Sequence, residues 1–142
     1  MESIDSIFFG EPKQRKVDRK RRVCVPKPIR DIILNRNKSL DETMRSIIFL
    51  VRQQPSDSRI PPRYTCYAAA DYYGRLEEFL KLPKEDSARI AYFTAKKTAI
   101  NTLGRISLPP EYEKTSCVSF IPNGDCFIIS PYPASGTDAE VR

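Results

Sequence analysis

The chain repeats itself. Lys16-Val17-Asp18-Arg19-Lys20-Arg21-Arg22-Val23-Cys24-Val25-Pro26 aligns, 83 residues further on, with Ala99-Ile100-Asn101-Thr102-Leu103-Gly104-Arg105-Ile106-Ser107-Leu108-Pro109. In both copies an apolar residue precedes Asp18 or Asn101, and Arg22 or Arg105 follows four positions later. An apolar, small, apolar triplet then runs into proline. Self-similarity of this kind governs every other reading of architecture, so the remaining elements are placed relative to it.

Each copy reads as strand, tight turn, strand. Asp18 and Asn101 can bond the backbone two residues on, and Gly104 tolerates a positive φ, whereas Arg21 holds the matching position without that freedom. Val23 and Val25, like Ile106 and Leu108, fall on one strand face, with Cys24 and Ser107 opposite. Pro26 and Pro109 stop these strands and can open short helices over residues 27–34 and 110–114. A second hairpin follows in each copy. In the first, residues 46–52 and 64–69 flank a proline-bearing loop, residues 53–63. In the second, residues 117–121 and 126–130 flank Asn123-Gly124, a strong hairpin signal. Between the copies, Asp71 is placed to cap a helix over residues 72–82, with Leu76, Phe79 and Leu80 on one face; another helix is expected over residues 84–95. The pattern is β-β-α-β-β, twice. It divides the chain into a first repeat (10–70), connecting helices (71–95), a second repeat (96–131) and a disordered tail (132–142) of Pro, Ser, Gly, Thr and Asp without periodicity.

At 142 residues the chain suits one compact domain. Its net charge of +6 lies entirely in residues 1–60, because residues 61–142 carry equal numbers of basic and acidic side chains. A localised cationic excess is what attraction to a phosphate backbone requires. The longest apolar run, residues 47–51, is far short of a membrane span, and the acidic N-terminus is unlike a secretory leader, so the chain is expected in the cytoplasm. There is no histidine, no C-x-x-C pair among Cys24, Cys66, Cys117 and Cys126, and no phosphate-cradling or nucleophile-elbow motif. Neither catalysis nor a metal or other cofactor is therefore expected, and the cysteines read as buried thiols.

The candidate site is the first hairpin. Lys13, Arg15, Lys16, Arg19, Lys20, Arg21 and Arg22 lie on its two strands and turn, where several cations can face one DNA duplex. Arginine can bond the O6 and N7 of guanine in bidentate fashion, while the other cations hold phosphates. Arg105 occupies the corresponding place in the second copy. Asp18, Asn101 and Gly104 read as turn-structuring residues, with Asp18 also placed to pair with Arg22. Interlocking the hairpins by salt bridges is the alternative role for Arg22 and Arg105.

Two motifs, Asp18-x-Lys20-x-Arg22-Val23-x-Val25-Pro26 and Asn101-x-x-Gly104-Arg105-Ile106-x-Leu108-Pro109, with helices between them, resemble the MraZ family of the SpoVT/AbrB swapped-hairpin superfamily. The likeness spans residues 10–131. It implies an α+β, mostly β fold: a tandem-duplicated swapped-hairpin barrel with peripheral and connecting helices, closing into a ring-shaped homo-oligomer. It further implies a nucleoid-associated regulator, read as a repressor, that binds repeated promoter boxes upstream of division and cell-wall genes. The chain departs from the family at Arg21 (a turn glycine), Asn101 (a second aspartate) and Leu103 (a basic residue), and lacks the terminal helix. Two other readings predict different behaviour. An antitoxin of the AbrB type would carry one hairpin unit and a partner-binding tail, and a basic DNA- or RNA-associated protein would show no operator preference.

Overall fold

The computed structural model describes residues 7–53 and 60–132. Strand β1 (Lys13–Lys16) turns into β2 (Arg22–Cys24), which leads into helix α1 (Lys27–Arg36). Strands β3 (Ile47–Arg52) and β4 (Tyr64–Ala68) form the next hairpin. Helices α2 (Ala69–Gly74), α3 (Leu76–Leu80) and α4 (Ser87–Phe93) connect it to β5 (Lys96–Ala99) and β6 (Arg105–Ser107). A final hairpin joins β7 (Cys117–Asn123) to β8 (Cys126–Pro131). The fold is mixed α+β with strands in the majority.

Six strands form one antiparallel sheet in the order β1-β7-β8-β4-β3-β5, and β2 and β6 form a separate two-stranded ribbon. The first strand of each copy lies against the second hairpin of the other copy. Lys13 to Lys16 pair with Phe120 to Cys117, and Lys96 to Ala99 pair with Leu50 to Ile47 in the same register. The ribbon is centred on Val23 opposite Ile106, and the β4–β8 ladder on Thr65 opposite Ile128, so one pseudo-twofold relation passes through both pairs. Among the described residues the outer strands β1 and β5 do not pair with each other, so the ladder stays open where a closed barrel was expected.

The sheet is covered on both faces, which explains why β3 is a continuous apolar run with no polar alternation. Ile48 and Leu50 join Tyr64, Cys66, Phe120, Phe127 and Ile129 in the main core, closed by Val23, Val25, Ile106 and Leu108 of the ribbon region and Ile29 and Ile33 of α1. Ile47 and Phe49 face the opposite way, onto Tyr72 and Tyr92 of the connecting helices. There Phe49, Tyr72, Tyr92 and Phe79 stack with centroids 4.0, 4.5 and 3.9 Å apart, aromatic contacts beyond simple area burial. Asn37, fully buried at the end of α1, ties the layers together. Its amide donates to the carbonyls of Arg45 (3.0 Å) and Ile47 (3.1 Å), and its oxygen accepts from the Ala70 amide (2.9 Å).

Several elements differ from expectation. Asp71 caps nothing: it lies inside α2 and pairs with Arg36 at 2.5 Å. The expected 72–82 helix breaks at Gly74 and Arg75, where Arg75 has φ −102° and ψ 0°; an interior glycine weakens a helix. Leu80 is exposed, so only Leu76 and Phe79 of the expected apolar face pack inward. The following helix begins at Ser87, because Asp86 accepts from the Ala88 amide at 2.8 Å and acts as the cap. Helix α1 runs two residues past residue 34, while the segment after Pro109 is only a 3-10 turn, Pro110–Tyr112. Of the cysteines, Cys66 and Cys126 are buried, but Cys24 is exposed on the ribbon's outer face and Cys117 is half-buried. The expected tail (132–142), Tyr132 apart, and residues 54–59 of the 53–63 loop fall outside the described residues. Among those described, no helix is long and apolar enough to cross a membrane, and no group of metal-ligating side chains gathers.

Candidate nucleic-acid interface

The two turns that end the ribbon are built alike. Asp18 Oδ1 accepts from the amides of Lys20 (2.8 Å) and Arg22 (2.9 Å), and Asn101 Oδ1 accepts from those of Leu103 and Arg105 (both 2.9 Å). The Asp18 amide donates to the Arg22 carbonyl and the Arg21 amide to the Asp18 carbonyl; Asn101, Arg105 and Gly104 repeat both bonds. A side-chain oxygen is all this turn needs, which is why Asn101 serves as well as Asp18. Arg21 and Gly104 both have positive φ, 59° and 80°. Arginine is strained there and glycine is not. Beyond each turn the copies clasp each other, since the Leu108 amide donates to the Arg21 carbonyl (2.7 Å) and the Val25 amide to the Gly104 carbonyl (2.9 Å).

Asp18 does more than shape its turn. Its Oδ2 accepts from Arg22 Nε at 3.0 Å and from Arg105 Nη1 at 3.5 Å, so one carboxylate serves both copies' arginines. The Arg22 backbone amide is the largest influence holding the Asp18 carboxyl below its ordinary range; partial desolvation opposes it, and the Lys20 amide and the Arg22 guanidinium assist. Because Asn101 brings no second carboxylate, two guanidiniums share the single negative charge of Asp18 in the first turn.

The other cations divide into two groups. Arg19 and Lys20 are exposed at the tip of the first turn, and among the described residues their side chains form no ion pair. Lys13 and Lys16 are exposed on β1. Arg15 and Arg21 are half-buried and already engaged with backbone, Arg15 with the Gln14 carbonyl (2.8 Å) and Arg21 with that of Leu108 (3.2 Å). Arg21 thus helps join the copies and does not reach outward as a free cation.

No family model matches the chain, and no curated protein matches it.

The ribbon gives these residues a common platform. Val23 and Ile106 enter the core, while Arg22, Cys24, Arg105 and Ser107 form the opposite face. The clasp residues Arg21 and Val25 are four residue steps apart across β2, so at roughly 3.3 Å per step the clasps lie about 13 Å apart, with the turn tips beyond them. Sequence reasoning missed Lys96 and Lys97, both exposed on β5. The repeat offset of 83 already placed Lys96 on Lys13. It also missed Arg30, whose Nε donates to the Val25 carbonyl (3.0 Å) and whose guanidinium lies against Gly104. That contact joins residues far apart in the chain, and no local pattern signals it.

Proposed function

We propose that this chain is a sequence-specific DNA-binding transcriptional regulator, a repressor, and not an enzyme. The observation that carries the reading is the two-stranded ribbon with Arg22 and Arg105 on its outer face and the exposed Arg19 and Lys20 at one end. A major groove about 12 Å wide admits such a ribbon, where arginine can read guanine and lysine can neutralise phosphate. Lys13 and Lys96, which share the ribbon side of the sheet with their partners Phe120 and Leu50, add phosphate contacts on the flanking strands. The exchange of first strands between copies favours the swapped-hairpin description, with each copy as one half of a duplicated unit. Resemblance to the MraZ family extends the proposal to repeated boxes upstream of division and cell-wall genes, and to a nucleoid-associated ring of subunits. One ribbon offers a modest contact area. A ring presenting several to evenly spaced boxes gains avidity of about 10² to 10⁴ when the spacing matches.

Footprinting on the DNA upstream of the chain's own coding sequence tests the reading. Protection of short, evenly spaced repeats is the expected result. Uniform coverage without preferred positions would remove the regulator and leave a general nucleic-acid-binding protein.

A further inference from the structure

Resting on the DNA reading above, we infer that Leu103 is a base-reading side chain that packs against the 5-methyl group of a thymine. Leu103 is 67% exposed, more than any other exposed large hydrophobic of the described chain, and it sits at the tip of the second turn. The tip is held from several directions. Asn101 Oδ1 accepts from the Leu103 amide, the Gly104 carbonyl accepts from Val25, and the Arg30 guanidinium presses on Gly104, within 3.1 Å of where a Cβ would stand. The backbone that carries the leucine is therefore ordered before anything binds, which limits the entropy lost on contact.

The pseudo-twofold relation gives this leucine its role. Its counterpart in the first turn is Lys20, so the two ends of one ribbon offer chemically different tips: Arg19-Lys20 at one end and Thr102-Leu103 at the other. A neutral tip has no cation for a phosphate or for the acceptors of guanine. What the major groove offers to an apolar side chain is the thymine methyl. A ribbon whose first turn lies over a guanine places the second at its far end, beyond the clasps and so at least about 13 Å further on, which is about four base pairs or more at 3.4 Å per step. The expected recognition element is a guanine and a thymine separated by that interval.

The test begins by selecting duplexes from a random pool with the full chain. Each thymine of the selected duplex is then replaced singly by deoxyuridine, which lacks only the methyl group. One position is expected to weaken binding roughly fourfold, as removal of one buried methyl implies. Leu103→Ala should bind more weakly and become indifferent to the same replacement, because the two changes remove one contact. Leu103→Lys should exchange the preference for thymine at that position for guanine. If the wild-type chain is indifferent to every deoxyuridine, or Leu103→Ala keeps the same sensitivity, the inference fails although DNA binding stands. A lower native mass for Leu103→Ala would assign the leucine to a contact between copies and overturn it as well. Failure to select any duplex would instead overturn the regulator reading.

Discussion

Arg21 and Gly104 hold equivalent backbone positions with opposite ease. A left-handed φ costs a non-glycine residue about 1–2 kcal/mol, and Arg21 meets that cost while its Nε bonds the Leu108 carbonyl. Gly104→Ala should accordingly destabilise the fold by about 1–2 kcal/mol, chiefly through φ, since the Arg30 guanidinium can shift aside. Arg21→Gly should stay within about 1 kcal/mol of the parent, because relief of strain is offset by the missing hydrogen bond and a more flexible unfolded chain. Denaturant titration of the two variants checks the asymmetry, and equal losses would contradict it. Asp18 adds a pH dependence. Its carboxyl titrates below the ordinary value of 3.8 in the folded chain, so its contribution is present above that value and is lost as pH falls through the folded-state pKa. Asp18→Asn, which keeps the Oδ1 acceptor as Asn101 does, should fold and show a shallower loss of thermal stability on acidification. An unchanged acid profile would show that the carboxylate contributes nothing to the ribbon.

The elements depend on a few polar anchors as much as on the core. Asn37 serves α1, β3 and α2 at once, and Asn37→Ala would leave the Ala70 amide and the Arg45 and Ile47 carbonyls without this partner. Loss of about 3 kcal/mol is expected by chemical unfolding, since buried groups left unpaired cost about 1–3 kcal/mol each. A loss under about 1 kcal/mol would mean water replaces the amide. The hairpins were legible in the sequence because their signals are local: an Asx residue two and four positions before the amides it bonds, Gly124 with its positive φ in a two-residue turn, and prolines just past β2 and β6. That turn is Gly124-Asp125, one residue on from the expected Asn123-Gly124, because Asn123 pairs with Cys126. The helices were less so. Asp71 looks like a cap until Arg36, distant in sequence, claims it, whereas Asp86, bonding the Ala88 amide two residues on, is a local signal that a helix started at residue 84 does not use. The basic turn and the Asp18–Arg22 pair could be read from spacing alone. The sharing of Asp18 with Arg105, the Arg30–Gly104 contact and the inward engagement of Arg21 could not, since each depends on how the two copies meet.

Across the molecule the layers separate two surfaces. The ribbon and α1 cover one face of the sheet, and the aromatic-rich connecting helices cover the other. A duplex on the ribbon would therefore leave the helical layer clear, so a multi-subunit assembly can present several ribbons without burying them. Native mass spectrometry should give a closed multiple of the chain mass, and a monomer at working concentration would remove the avidity on which the proposed binding to repeated boxes depends. The duplex-binding surface itself is tested by titrating the selected duplex against the wild-type chain and the Arg19→Ala/Lys20→Ala variant over a range of salt concentrations. Arg21 is left in place because it joins the copies. The variant should bind at least about tenfold more weakly, and its plot of log affinity against log salt should be shallower by about 1.8, because two phosphates are no longer neutralised, at roughly 0.9 each. An unchanged affinity with an unchanged slope would contradict the account and move the DNA surface away from the first turn.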